Sequence, residues 1–250
     1  MQKLIVYLTG EGKSDIGYRD YATGEFVPRE MTHLAMAVLR KQLSDAVETE
    51  QRFLSESELS ALVRSSERSK RQPVLTARLT LESSKESKFP GLWFRASIFA
   101  EHAKKDVVEG GAKRAAILFT DADGTHSKPS QLWRAKFEAI LNGFTEVGFT
   151  SGIPMVPQPK SEAWLLGYYQ KNMGNGHCAY QNCERFEKLA GNDDAHPKNS
   201  AKHILDGLLE GAIPDSAELL AVEWERVKMP SLEQFISRMH EVVGTLIANV

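Results

Sequence analysis

The sequence LIVYLTGEGKSD occupies residues 4–15 and predicts a buried β-strand followed by a sharp turn. Residues 4–8 are apolar, with the length and composition of a strand that is covered on both faces. Gly10 and Gly12 flank Glu11, and glycine allows both a positive φ and the close approach of another group to the backbone. Ligands of open α/β sheets bind outside the carboxyl ends of the strands, so Glu11 is expected to lie where such a sheet binds its ligand.

A second stretch repeats this pattern about a hundred residues later. Residues 115–120 (AAILFT) predict another buried strand, which runs into Asp121, Ala122, Asp123 and Gly124. Residues i and i+2 of an extended backbone point to the same side, so Asp121 and Asp123 are expected to converge. Such hard oxygen ligands suit Mg²⁺ or Mn²⁺.

If the two strands are parallel neighbours, Glu11 faces the same point as Asp121 and Asp123. Three carboxylates at one sheet edge repel each other unless a cation neutralises them, which predicts a metal site. The alternative is that Glu11 and Asp15 cap the next helix, while residues 121–124 form an ordinary turn after a strand.

At these residues the chain resembles the Toprim family. That family pairs a strand-end Glu-Gly, often in an EGxxD string, with a later strand-end DxD. The matching residues here are Glu11, Gly12 and Asp15, followed by Asp121 and Asp123. The resemblance implies a compact α/β sheet, bound Mg²⁺ and phosphodiester chemistry, as in topoisomerases, primases and OLD-type nucleases.

Three later segments are similar to a narrower group of standalone Toprim-like proteins, to which RloB-type proteins are a looser comparison. The segments are residues 157–166 (PQPKSEAWLL), 196–202 and 230–239 (PSLEQFISRM). Members of this group are often associated with ATPases and anti-phage defence, so the resemblance implies an ATPase partner. Glu162 matches an acidic position of the group and is either an additional metal ligand or a neighbouring acid. Alternatively, it is a first-turn Glu favoured by the helix dipole.

Several basic residues are candidate contacts for the phosphates of a nucleic acid. The predicted set is Lys13, Lys160, Lys198 and Lys202, and the narrower resemblance adds weight to the last two. A further cluster lies between residues 64 and 71 and comprises Arg64, Arg68, Lys70 and Arg71. Its alternative interpretation is a solvated face without a ligand.

Composition restricts the class of protein. A length of 250 residues allows one core plus a helical appendage. The net charge of −2 argues against a protein that coats nucleic acid, but an acidic metal site would offset basic residues in a nuclease. No apolar run approaches the roughly 18 residues of a membrane span and no signal peptide is recognisable, so we expect a cytoplasmic protein. Cys178 and Cys183 do not make a disulfide framework, and their spacing lacks the second pair of a regular zinc site. The sequence leaves open whether they bind zinc together with nearby histidines.

The remaining pattern predicts alternating strands and helices in the first part of the chain and helices after residue 161. Expected helices cover residues 28–45, with Thr32 as an early cap, and residues 55–64 and 98–108. Three further helices are expected, with Ser130, Asp215 and Ser231 as their caps. Further strands are expected at residues 74–81 and 153–156, and residues 15–24 are expected to form a loop. The predicted fold is a Toprim-like α/β domain over residues 1–160, with a mostly parallel sheet flanked by helices and an insertion around residues 46–96. A helical C-terminal part follows over residues 161–250.

These features predict a metal-dependent nuclease that hydrolyses phosphodiester bonds in DNA or RNA, with a role in anti-phage defence implied by the resemblance. Asp121 and Asp123 would hold the metal, and Glu11 would be a ligand or a general acid or base. One alternative is a non-catalytic Toprim-like subunit that binds an ATPase or nucleic acid. Another is a phosphohydrolase of small nucleotides. The sequence leaves open the choice between DNA and RNA, and the oligomeric state.

Overall fold

The computed structural model describes residues 2–13, 15–69, 88–108, 111–122, 129–169, 182–191, 197–210, 212 and 215–248. The strands are β1 (Gln2–Gly10), β2 (Gly17–Arg19), β3 (Phe26–Pro28), β4 (Val47–Phe53), β5 (Lys113–Phe119) and β6 (Gly152–Met155). The α-helices are α1 (Glu30–Arg40), α2 (Glu56–Ser69), α3 (Pro90–Lys105), α4 (Pro129–Glu146), α5 (Ser161–Tyr169), α6 (Ala201–Leu209), α7 (Ser216–Ala221) and α8 (Pro230–Ala248). Short 3-10 helices cover Cys183–Lys188, Pro197–Asn199 and Trp224–Arg226.

A four-stranded parallel sheet in the order β4-β1-β5-β6 forms the centre of the fold. The register places Leu8 opposite Phe53, and Gly10 opposite Phe119, which in turn pairs with Met155. Because all four strands run in the same direction, their carboxyl ends lie along one edge. The condition stated for the acidic site, that β1 and β5 are parallel neighbours, is therefore met, and Glu11 and Asp121 leave the sheet at the same edge.

The sheet is buried on both faces, as the continuous apolar runs predict. Along β1, Leu4, Val6 and Leu8 belong to one hydrophobic cluster, whereas Ile5 and Tyr7 belong to the other. This alternation follows from the period of two in an extended strand.

Helices cover the two faces, so the predicted α/β class is confirmed. The first cluster is completed by α1, α5 and α8, for example through Leu34, Trp164 and Phe235. The second is completed by α3 and α4, through Phe99 and Phe144. The described part of the chain after residue 160 is mainly helical, as predicted. The domain boundary at residue 160 and the insertion at residues 46–96 stay predictions.

Two segments contain strands that the sequence pattern did not predict. β2 and β3 form an antiparallel hairpin within and just after the region expected to be a loop. β4 pairs with β1 at the edge of the main sheet and lies within the range predicted as an insertion. Its sequence VETEQRF is half-exposed and charged, so the apolar signature of a buried strand is missing.

Helix starts were predicted with mixed success. The Asp215 side chain accepts a hydrogen bond from the backbone N–H of Ala217 at 2.9 Å, which confirms it as a cap. Thr32 lies inside α1, where its buried hydroxyl donates to the Ile16 carbonyl at 2.7 Å instead of capping the helix. Likewise, α4 begins at Pro129, so Ser130 is a helical residue and not the cap.

Ser231 was also predicted as a cap, and that prediction is wrong. α8 begins at Pro230, and the buried Ser231 hydroxyl accepts a hydrogen bond from the Trp164 indole N–H at 2.8 Å. The same hydroxyl donates to Glu187 Oε1 at 2.5 Å, and the Ser231 backbone N–H donates to that oxygen at 2.7 Å. Ser231 therefore joins α5 and α8 through a buried polar network.

Several predicted features lie outside the described residues. They are the strand at residues 74–81, Asp123, Lys70, Arg71 and Cys178. Among the helices that the structure does describe, none is long and apolar enough to cross a membrane.

Candidate functional site

Glu11 and Asp121 meet at the carboxyl ends of the two central strands. The backbone N–H of Asp121 donates to Glu11 Oε1 at 3.1 Å, and the hydroxyl of Thr120 donates to the same oxygen. The adjacent parallel strands thus bring together two residues that are 110 positions apart in the chain. Glu11 is oriented by two donors from the β5 turn, which hold its carboxylate against the backbone of Asp121.

Ser161, the first residue of α5, ties a third carboxylate to this pair. Its backbone N–H donates to Asp121 Oδ1 at 2.9 Å, and its hydroxyl donates to Asp15 Oδ1 at 2.5 Å. Ser161 reaches this position because the β5–β6 pairing continues beyond the strands, with the Ala122 N–H donating to the Pro157 carbonyl at 3.0 Å. The first turn of α5 therefore lies against both acidic turns.

Two further carboxylates lie close to Asp15. Glu162 Oε2 is 3.2 Å from the Ser161 hydroxyl oxygen. Burial raises the pKa of Glu162, and the Asp15 carboxylate raises it further. Burial likewise raises the pKa of Glu30, the first residue of α1, and Asp15 contributes to that shift as well. A poorly solvated group of acids of this kind favours the proximity of a cation.

Basic side chains also approach the acids. The Lys136 ammonium group donates to the Asp121 carbonyl at 2.5 Å, which places a cation from α4 beside the β5 turn. The charge of Lys160 lowers the pKa of Glu162 and so partly offsets the effect of burial. Lys13 is exposed two residues after Glu11. Lys198 is exposed on the 3-10 helix Pro197–Asn199, and Lys202 is exposed on α6. The structure thus places Lys13 and Lys160 next to acidic residues of the site.

The two glycines around Glu11 have the roles that the sequence predicts. Gly12 has a φ of +86°, and a Cβ there would lie 2.4 Å from Asp15 Oδ2. A Cβ at Gly10 would lie 2.7 Å from the Phe119 Cβ atom. Gly12 therefore makes the turn, and Gly10 allows β1 and β5 to approach each other closely next to the site.

The oxygen donors of this site suit Mg²⁺ or Mn²⁺ in their chemistry. Within the described residues, no group of three His, Cys, Asp or Glu side chains is arranged to hold a metal ion by itself. The third predicted ligand, Asp123, lies beyond the described part of the β5 turn. Of the four predicted ligands, Glu11, Asp121 and Glu162 are among the described residues, and the metal site itself stays a prediction.

The thiol of Cys183 gives no support to a zinc site. Cys183 is fully buried, and its thiol donates to the Gly167 carbonyl at 3.7 Å. Burial raises the pKa of the Cys183 thiol to about 11, so the thiol stays protonated. A protonated, enclosed thiol packs as a small apolar side chain.

A cleft open to solvent adjoins the acidic site. It has a volume of about 960 Å³ and is lined by Gly10 and Gly12, on either side of Glu11. Lys13, the β2–β3 hairpin, the end of β4 and one face of α2 complete the lining. The cleft therefore leads from the hairpin and α2 directly to the turn that carries Glu11.

Four residues of this site were not predicted from the sequence, namely Thr120, Ser161, Lys136 and Glu30. Thr120 directly precedes Asp121, and Ser161 follows the short strand β6, so their positions at strand exits were the available signal. Lys136 and Glu30 lie within helical patterns and carry no such signal. They reach the site only through the packing of α4 and α1 on the sheet.

No family model, curated protein or solved structure matches the chain. The resemblance to the Toprim family rests on the motifs around Glu11 and Asp121.

Proposed function

We propose that this protein is a Mg²⁺- or Mn²⁺-dependent hydrolase of phosphodiester bonds in nucleic acid. The observation that carries the proposal is the hydrogen bond from the Asp121 N–H to Glu11 Oε1, which joins the two motif acids across adjacent parallel strands. Carboxylates gathered at the carboxyl edge of a parallel sheet occupy the usual ligand position of such folds.

Each acid has a distinct role in this proposal. Asp121 and Asp123 would hold the ion, and Glu11 would either bind it or transfer a proton at the attacking or leaving oxygen. When bound, such an ion supplies Lewis-acid polarisation of a phosphate and lowers the pKa of water. Ser161 positions Asp15 and Asp121 through its hydroxyl and its backbone N–H. Glu162 lies at the same helix terminus and is a candidate for a second ligand set.

The adjoining cleft supports a polymer as the substrate. It is open to solvent and extends from Gly10 to Arg64. A small phosphate ester would typically bind in an enclosed pocket instead. Lys13 and Arg64 are cations along this path and would contact phosphates. The anti-phage context and the ATPase partner belong to the proposal on the strength of the resemblance alone.

The proposal is tested by incubating the purified protein with labelled DNA and RNA in the presence of Mg²⁺, Mn²⁺ or EDTA. We expect cleavage that requires the metal and falls at least about a hundredfold in Glu11→Gln and Asp121→Asn, because each loses several kcal/mol of transition-state stabilisation. Glu48→Gln and Asp45→Asn are matched controls, since both residues are exposed and lie outside the site. They should cleave like the wild type.

Three results would contradict the proposal. Cleavage that persists in EDTA would exclude a metal-dependent reaction, and equal cleavage by Glu11→Gln would remove the site from the chemistry. Turnover of free nucleotides without cleavage of polymers would indicate a small-molecule phosphohydrolase instead.

A further inference from the structure

The most exposed aromatic side chain of the described residues lies at the rim of the cleft beside the acidic site. Tyr21 is 95% exposed and occupies the loop between β2 and β3. Folding gains nothing from an aromatic ring that remains in water, whereas such a ring is well suited to stack on a nucleic-acid base.

The loop that carries Tyr21 is firmly held. Asp20 Oδ1 accepts hydrogen bonds from the N–H groups of Ala22 and Thr23, both at 2.9 Å. The backbone closes the same loop, with the Asp20 N–H donating to the Glu25 carbonyl at 2.8 Å. Tyr21 is therefore displayed by a structured turn, and its exposure is a property of the fold.

The hairpin is also fixed to the main sheet. The rings of Phe26 and Phe53 stack with their centroids 4.3 Å apart. The Arg19 guanidinium donates to the Phe53 carbonyl at 2.8 Å, next to the end of β4. These contacts hold the hairpin beside the carboxyl edge of the sheet, so Tyr21 has a defined position relative to Glu11.

The opposite wall of the cleft comes from α2. Ser57, Ser60 and Arg64 all line it and are spaced three and four residues apart, which places them on one helix face. Lys13 lines the end of the cleft that adjoins Glu11. Lys13, Arg64 and the hydroxyl groups of this helix face thus lie along a path that leads to the acidic site, and such groups contact phosphates.

The carboxylates of the cleft are engaged within the protein. Asp20 holds the hairpin turn, and Glu58 accepts a hydrogen bond from the Ser55 N–H at 2.7 Å. Glu56 lies 3.6 Å from a guanidinium nitrogen of Arg95. Arg19 also lines the cleft, but its guanidinium lies 3.8 Å from Glu58 and donates to the Phe53 carbonyl. Lys13 and Arg64 are exposed, and we therefore assign an anionic ligand to these two side chains.

We infer that this cleft binds a single-stranded segment of nucleic acid, with a base stacked on Tyr21 and phosphates on Lys13 and Arg64. A ring displayed at a hairpin tip reaches an unpaired base, whereas the bases of a duplex are stacked on one another. The inference rests on the proposed function, which it extends by specifying a single strand as the substrate class.

The test measures binding by fluorescence anisotropy in EDTA, so that cleavage does not interfere. The ligands are a labelled thymidine dodecamer and a dodecamer of abasic sites, which has phosphates but no bases. We expect Tyr21→Ala to weaken binding of the thymidine dodecamer about fivefold or more and to leave binding of the abasic dodecamer unchanged. Tyr21→Phe keeps the ring and should bind both like the wild type.

Arg64→Gln should weaken the binding of both dodecamers by the same factor. It should also reduce the slope of log affinity against log salt concentration by about 0.7. Lys105→Gln is the control, because Lys105 lies on α3 with a side chain 71% exposed and does not line this cleft. Its affinity and salt slope should equal those of the wild type.

The inference fails if the wild type does not bind the thymidine dodecamer or if Tyr21→Ala binds it like the wild type. It also fails if a blunt duplex of the same length binds more tightly than the single strand. Metal-dependent cleavage that needs Glu11, without any effect of Tyr21, would overturn this inference alone. Tyr21-dependent binding without cleavage would instead leave the cleft assignment standing and remove the proposed hydrolase.

Discussion

The hydroxyl of Ser161 offers the most direct test of how the acidic site is held together. Ser161 is 2% exposed, and its hydroxyl donates to Asp15 Oδ1 at 2.5 Å. The substitution Ser161→Ala removes this hydrogen bond but keeps the backbone N–H that donates to Asp121 Oδ1. It therefore separates the contribution of the Asp15 contact from that of the Asp121 contact.

The expected loss of stability follows from the type of hydrogen bond. A hydrogen bond to a carboxylate contributes about 1.5–3 kcal/mol. Alanine is a better helix former than serine by about 0.5 kcal/mol, which offsets part of the loss at the start of α5. We therefore expect Ser161→Ala to lower the free energy of unfolding by about 1–2.5 kcal/mol. For a chain of this length, that corresponds to a fall in Tm of about 2–10 °C.

Urea unfolding followed by circular dichroism measures this difference. The matched control is Ser237→Ala, because Ser237 is an exposed serine within α8. It should change the free energy of unfolding by less than about 0.5 kcal/mol. If Ser161→Ala is as stable as Ser237→Ala, the Asp15 contact does not hold α5 against the β1 turn and our account of the site is wrong.

Two further predictions concern the sheet and the buried network. Gly10→Ala should destabilise the protein by about 1–3 kcal/mol, because its Cβ would lie 2.7 Å from the Phe119 Cβ atom. Gly244→Ala is the control, since the space around Gly244 is open, and in the same urea titration it should be neutral or stabilising. Equal effects of the two substitutions would refute the close approach of β1 and β5. Burial raises the pKa of Glu187 despite hydrogen bonds from Ser231. The folded state therefore binds the proton of the Glu187 carboxyl more tightly than the unfolded state does, and stability is lost as pH rises above about 4.5. Glu187→Gln keeps the acceptor oxygen without the charge, so its Tm relative to the wild type should increase between pH 4 and pH 8, and parallel Tm curves would contradict this explanation.

The local sequence determined the central strands and the turns that follow them. Continuous apolar runs of strand length can be buried only in a sheet covered on both faces, so residues 4–8 and 115–120 predict β1 and β5 directly. The roles of the two glycines around Glu11 were also predictable from the sequence, because a backbone with a positive φ or a close neighbour favours glycine. These features depend on neighbours in the chain, and the parallel pairing of the strands then brings Glu11 to Asp121.

β4 could not be predicted from the sequence, because it is an edge strand with charged side chains. Glu50 on this strand forms ion pairs at 2.6 Å with both Lys3 and Arg52, and Arg52 also pairs with Asp106. Charged residues suit an exposed sheet edge, but they erase the hydrophobic period that identifies a strand.

The composition of the acidic site was decided by tertiary structure. Ser161 donates to Asp15 and Asp121 only because β6 pairs with β5 and directs α5 to the edge where β1 ends. Lys136 reaches Asp121 because α4 packs across the sheet. A sequence pattern reports which side of an element is buried, whereas contacts over more than a hundred residues depend on the order of strands in the sheet. That order, and with it the partners of each acid, exists only in the folded chain.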